Sequence, residues 1–462
     1  MWGIDRLSAG ELANTRRRLR SSAIALLSQA SAVDRRGKPV LDVLEELGAR
    51  PVRIFAGEHG FNGVAQAEEP VGSVAPPSPL FARASAEPEP ARTDPAVGVA
   101  LEDGELEWDI EPSSSGEDPS DTPRRDYQQA LDARLPSVPP AIISLYGHDK
   151  ASLSPRPEDL AGLDVLLIDL MDVGSRYYTF VWTALLAARA AAQAGVHVLV
   201  LDRPNPISGD PTSVEGAPQR EGFTSFVGLE SIPIRHAMTV GELLVHFFHK
   251  EGRPLGPDGA LSVIAPRGWE RHRTAQAWNR PFVAPSPNMP TVETALVYPG
   301  GCLIEGTNLS EGRGTTLPFQ TVGAPFLDGP ALARSMLDAR LPGVMVRPQS
   351  FRPSFEKFQG ELCHGVCLHV TDARMFRPVT TYLTLLALAR QQAPSQFEFR
   401  TRAYEFETNV PAFDLLTGSD AARTALLAGA SAEDVVNLVA PAGEEWQESL
   451  RELETLVAKA HA

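Results

Sequence analysis

The chain reads as an α/β protein: a Rossmann-like parallel sheet domain followed by a second, smaller α+β domain. Three observations lead there. Short β-rich runs alternate with helical patterns, those runs are continuously apolar, and polar residues gather where the runs end. Alternating strand and helix is the signature of crossover connections, and continuous apolar runs mark strands covered on both faces.

Taken in order, SAIALLS (22–28) predicts a strand, PVLDVLEELG (39–48) a helix and VRIFAG (52–57) a second strand. AIISLYG (141–147) and LDVLLIDL (163–170) predict two more. TFVWTALLAARAAAQAG (179–195) is rich in Ala and Leu and ends on Gly195, as a helix should, before VHVLVLDRPNP (196–206) returns as a strand. After a helical HFFHK (246–250), GRPLGPDG (252–259) punctuates the chain, so the domains are expected at 1–255 and 256–462. Residues 285–326 read as one long Gly- and Pro-rich loop. MFRPVTTYLTLLALARQQ (375–392) and the stretch 431–460 carry leucines and valines at helical spacing and belong to the second domain.

One segment breaks the pattern. Residues 76–137 hold 14 acidic and 5 basic side chains and many prolines, too little apolar surface to offset the entropy of ordering. It is expected to be a mobile insertion, with a short helix at RRDYQQALDARL (124–135).

Composition narrows the function. A chain of 462 residues exceeds one ordinary core, which favours two domains. The formal charge of -16 argues against nucleic acid and anionic membranes as partners. The apolar runs are far shorter than the ~20 residues of a membrane span. MWGIDRLSAGELANTRRRLR lacks an apolar export core, so the expected location is the cytoplasm. Cys302, Cys363 and Cys367 lack zinc spacing and read as reduced, buried side chains. No HExxH, GxGxxG or GxxxxGK[ST] pattern is present, so neither a metal nor a cofactor is expected.

In open α/β sheets, ligands bind beyond the carboxyl ends of the strands. Four such ends deliver polar groups: Glu58 and His59, Tyr146 and His148, Asp172, Arg176 and Tyr178, and Asp202, Arg203 and Asn205. Individually each has a structural reading, Asp202 as a cap for the next turn and Arg203 as its ion pair. Further on, EGTNLSEGRGT sets Glu305, Asn308, Glu311 and Arg313 among glycines that let backbone approach a ligand. A structural ion pair between Glu311 and Arg313 is the plainer alternative.

The stretches GEHGFNG, DVGSRYYT, LDRPNP, VEG, FVGLESIPIRHAMTVGEL, PSPNMPT and YPGGCLIEGTNLSEGRGTTLPF, in this order, resemble the NamZ-type exo-β-N-acetylmuramidases. The resemblance runs from about Ala23 to Asp372 outside the acidic insertion, and more weakly through the tail. It implies a Rossmann-like domain joined to a second one with the active site in the cleft between, and release of terminal N-acetylmuramic acid from peptidoglycan fragments. A binding protein without catalysis, or a hydrolase of another N-acetylhexosaminide, is the alternative.

Glycoside cleavage needs an acid for the departing oxygen and a group to meet the anomeric carbon. Glu58, at the end of a buried strand, is the first choice for the acid, with His59 to orient it or bond the sugar. Asp172, Glu215, Glu305 and Glu311 all compete for the second carboxylate, and participation by the substrate's acetamido group is a further route. The lactyl carboxylate of muramic acid calls for a cation, for which Arg176 and Arg313 are the candidates. A salt bridge from Arg176 to Asp172 is the competing reading. Tyr178 offers a face for sugar stacking, and Asn205, Asn288 and Asn308 offer bonds to hydroxyls; Trp182 and Trp269 read as core.

Overall fold

The computed structural model describes residues 1–63, 65–66 and 140–462. The insertion expected at 76–137 and its helix at 124–135 lie outside the described residues.

Six strands form one sheet: β1 (Ile24–Ser28), β2 (Arg53–Ala56), β3 (Ala141–Ser144), β4 (Val165–Asp169), β5 (His197–Leu201) and β6 (Leu261–Ile264). Their order is β3-β2-β1-β4-β5-β6 and every pairing is parallel. That order belongs to the doubly wound fold, whose switch point lies between the first and fourth strands. β1, β4 and β5 are buried along their whole length, which is why they read as unbroken apolar runs. Helix Phe180–Gln193, which connects β4 to β5, and helix Val240–Lys250, which connects β5 to β6, both bury apolar faces. Thr239 caps the second of these and Glu242 returns the bond in a capping box. The sheet takes its last strand from 261–264, beyond the boundary expected at 255.

A second sheet is antiparallel, in the order β7-β9-β8, from β7 (Thr321–Ala324), β8 (Val344–Phe351) and β9 (Cys363–Val370). Pro348 sits in β8, an edge strand, where a missing donor is tolerated. Helices Val292–Gly301 and Pro378–Gln392 cross beside it, so tightly that a Cβ on Gly300 would lie 2.1 Å from the carbonyl oxygen of Pro378.

Residues 292–301 were expected as loop and are helical instead. Pro299, Gly300 and Gly301 disguise the helix in sequence, yet Thr291 caps its start by accepting from Thr294 N–H, and Gly300 serves helix contact rather than a turn. Among the described residues, no helix is long and apolar enough to cross a membrane.

Candidate active site

Glu58 follows β2 by two residues, and Thr179 Oγ1 donates to its Oε2 at 2.6 Å. His59 takes a left-handed φ of 69° and places Nδ1 2.8 Å from the carbonyl oxygen of Ala65. A carbonyl only accepts, so Nδ1 carries a proton in this contact. The ring also meets Phe180 edge-on at 6.0 Å.

Glu58, His59, Tyr178, Asn288, Glu305 and Arg313 line one narrow cleft. Glu58, His59 and Tyr178 come from the carboxyl ends of β2 and β4; the other three come from the stretch that precedes the second sheet. Tyr178 packs edge-on against Phe180 at 4.9 Å and Tyr298 at 5.9 Å. Burial holds its hydroxyl well above the usual range, so it stays protonated. Asn288 Nδ2 donates to Gln66 Oε1 at 2.8 Å, tying the 285–290 loop to the segment after His59.

Arg313 anchors the charge of the far wall. Its Nη2 donates to Glu305 Oε1 at 2.7 Å, and its Nε lies 3.4 Å from Glu311 Oε1. Tyr404 donates to Glu305 Oε2 at 2.7 Å, while Lys357 Nζ reaches Glu311 Oε2 at 2.9 Å. Burial by itself would push Glu305 up, but the charge of Arg313 and the bonds from Arg313 and Tyr404 outweigh it and hold the carboxyl below its usual range. Burial would likewise lower Arg313, and Glu305 and Glu311 more than reverse it. The four charged side chains, with Tyr404, form one locked network, so the Glu311–Arg313 pair is structural while Arg313 still borders the cleft.

Other expected site residues lie elsewhere. Arg176 is fully buried and gives its guanidinium to the carbonyls of Ala217, Ile232 and Leu416 at 2.6–2.8 Å. It meets neither the cleft nor Asp172, because three carbonyls distant in sequence converge on it. Burial lowers its pKa to about 10. Asp172 lies behind the cleft lining, accepting from Gly174 N–H at 2.6 Å with His236 Nε2 at 3.8 Å, and burial raises it to about 7. Asn205 staples Met238 O and Ile207 N–H, each at 3.0 Å. Gly174 (φ 77°) sits against it: a Cβ there would be 2.3 Å from Asn205 Oδ1.

Asn308 pairs with Gln396 O and Glu398 N–H and lines a separate surface depression. Glu215 accepts from Val379 N–H, Thr380 N–H and the Thr380 hydroxyl, holding the start of helix Pro378–Gln392. Arg203 pairs with Asp169 instead of Asp202, and Asp202 caps the Thr239 turn. Among the described residues, no group of three or more His, Cys, Asp or Glu is placed to hold a metal.

The cleft also contains residues the sequence reading missed: Thr179, Ser286, Tyr298, Tyr404 and Glu405. Thr179 closes the quoted DVGSRYYT stretch and Ser286 stands in PSPNMPT, so both were within reach. Tyr404 and Glu405 lie in a tail segment with no strand-end or glycine signal.

Comparison with known proteins finds two family models that meet near residue 294. Residues 124–293 match the family model described as exo-β-N-acetylmuramidase NamZ, N-terminal, and residues 296–454 match the C-terminal one. The peptidoglycan β-N-acetylmuramidase NamZ of Bacillus subtilis (strain 168) is 36% identical over 436 residues, covering 94% of this chain and 86% of that protein. Crystal structures of two DUF1343 family proteins from Bacteroides fragilis NCTC 9343 share the fold. One has a TM-score of 0.70 at 23% identity and the other 0.60 at 24%, each comparison covering 98% of this chain and 97% of the other.

Proposed function

The chain belongs to the NamZ family of exo-β-N-acetylmuramidases, and from that premise we propose that Glu58 is the proton donor with which it cleaves the terminal N-acetylmuramic acid bond. The protein is a glycoside hydrolase acting on peptidoglycan-derived substrate. What supports the role of Glu58 is its place: a carboxyl at the carboxyl end of a parallel strand, 5% exposed, sharing one cleft with an arginine and two further glutamates.

Cleavage moves positive charge onto the anomeric carbon and negative charge onto the departing oxygen. Glu58 gives its proton to that oxygen. The Thr179 hydroxyl donates to Glu58 Oε2 at 2.6 Å and so restrains the rotation of the carboxyl. His59, held by Ala65 O, offers its other ring nitrogen to a sugar hydroxyl. Arg313 is the cation for the lactyl carboxylate, since it borders the cleft and Arg176 does not. Tyr178 and Asn288 border the same space and contact the ring and its hydroxyls.

The test is selectivity between two chromogenic glycosides, of N-acetylmuramic acid and of N-acetylglucosamine, which differ only in the lactyl group. Release is expected from the first, with at least about tenfold preference in kcat/KM, the scale of one charge-assisted contact. Equal turnover of both would remove the lactyl assignment, and release from neither would remove the hydrolase.

A further inference from the structure

The loop from 352 to 362 joins β8 to β9 and carries Lys357 at its middle. Glu356 and Phe358, on either side of that lysine, take left-handed φ of 66° and 58°. Such positions are strained for residues of this size and persist where the surroundings over-determine them. Here the surroundings are specific. Ser354 gives both its N–H and its hydroxyl to Gly314 O at 2.9 Å, and Phe358 meets Phe326 edge-on at 6.3 Å. Gly314 (φ 76°) permits the approach, since a Cβ there would lie 2.7 Å from Phe355 N. The loop is thereby docked on the residue next to Arg313.

Docked in this way, the loop sends Lys357 inward, with 16% of its side chain exposed. Its Nζ donates to Ile304 O at 3.1 Å, to Leu309 O at 2.9 Å and to Glu311 Oε2 at 2.9 Å. An ammonium has three protons, and these three bonds use them all. Ile304 directly precedes Glu305, so the lysine is fastened to the wall of the cleft from behind without lining the cleft itself.

Its charge reaches the cleft through two neighbours. Glu311 stands between the cations, with Oε2 on Lys357 and Oε1 3.4 Å from Arg313 Nε. At Glu305, burial acts upward but is outweighed by the charge of Arg313 and the bonds from Arg313 and Tyr404, and the charge of Lys357 pulls the same way as Arg313. Two acids are thus matched by two cations. A substrate carboxylate arriving at Arg313 adds a third negative charge, and without Lys357 it would meet two acids and one cation.

We infer that Lys357 is a positioning residue that sets the preference for a lactyl carboxylate: it holds Glu311 and supplies the second positive charge, which leaves Arg313 able to receive the substrate's anion. The inference rests on the muramidase reading above, in which Arg313 is the cation for that group.

Two variants of the full chain separate charge from hydrogen bonding. Lys357→Gln can still donate to the two carbonyls, whereas Lys357→Arg keeps the charge. Each is assayed beside the parent with an aryl N-acetylmuramic acid glycoside and with its lactyl methyl ester, which has no charge to bind. Lys357→Gln should raise KM for the acid about tenfold, the scale of one partly screened charge, while kcat and the KM of the ester stay within about threefold. Lys357→Arg should stay within about threefold of the parent on both substrates. An unchanged KM for the acid in Lys357→Gln, an equal rise for acid and ester, or a rise in Lys357→Arg as large as in Lys357→Gln overturns the inference. A parent that treats acid and ester alike removes the lactyl assignment of Arg313 and this inference with it, whereas a parent that prefers the acid while Lys357→Gln matches it removes only Lys357.

Discussion

Replacing Asp172 by Asn isolates the energetic consequence of burying an acid behind the cleft. Asp172 is raised from 3.8 to about 7, chiefly because burial penalises its charge. Its Oδ2 accepts from Gly174 N–H and Oδ1 has no hydrogen-bond partner, the arrangement a neutral carboxyl or an amide satisfies equally well. The sign follows from linkage: the folded state binds the proton more tightly than the unfolded state, so this contribution is full below pH ~4 and is lost as pH rises through about 7. At about 1.4 kcal/mol per pKa unit, the span corresponds to about 4 kcal/mol at most. His236, 3.8 Å away and lowered to about 3 by burial, has the opposite slope in the parent below its ordinary pKa, so the difference between Asp172→Asn and the parent is the quantity to follow. Urea titrations at pH 4.5 and 8.5 should give equal stabilities, within about 1 kcal/mol, at the lower pH and a variant more stable by about 2–4 kcal/mol at the higher. Turnover should remain within about tenfold of the parent because Asp172 does not line the cleft. Parallel stability curves would refute the burial argument, and a loss of turnover beyond 100-fold would return Asp172 to the reaction.

Arg176→Met should destabilise by about 3 kcal/mol or more, since three buried carbonyls lose a charged donor, and should leave KM unchanged, as measured by urea midpoint and steady-state kinetics. A raised KM at unchanged stability would place Arg176 on the substrate. Arg313→Met should cost about 3–5 kcal/mol, because Glu305 loses its cation in a buried setting and Glu311 keeps only Lys357; a midpoint shift under 1 kcal/mol would show the network to be solvated.

The parallel sheet was legible because both faces of its strands are covered, leaving apolar runs that need no partner to be recognised. That Glu58 and His59 line the cleft was legible because they stand at the carboxyl end of a parallel strand, where ligands bind in open sheets. The place of Arg176 was hidden because the carbonyls it bonds come from residues 217, 232 and 416, which no local pattern connects. Helix Val292–Gly301 was hidden by Pro299 and its glycines, of which Gly300 sits against helix Pro378–Gln392 and Gly301 against Phe319. Glu405 carried no signal at all, because its turn uses Glu-Phe where the usual cue is Asn-Gly.

The most direct measurement concerns the carboxyl of Glu58. Glu58→Gln retains the size and the acceptor for Thr179 but has no proton to give. With an N-acetylmuramic acid disaccharide, whose leaving oxygen is basic, kcat/KM should fall at least about 1000-fold at unchanged Tm, and with an acidic nitrophenyl leaving group the fall should be much smaller. Equal turnover of the disaccharide by Glu58→Gln and the parent would contradict the account.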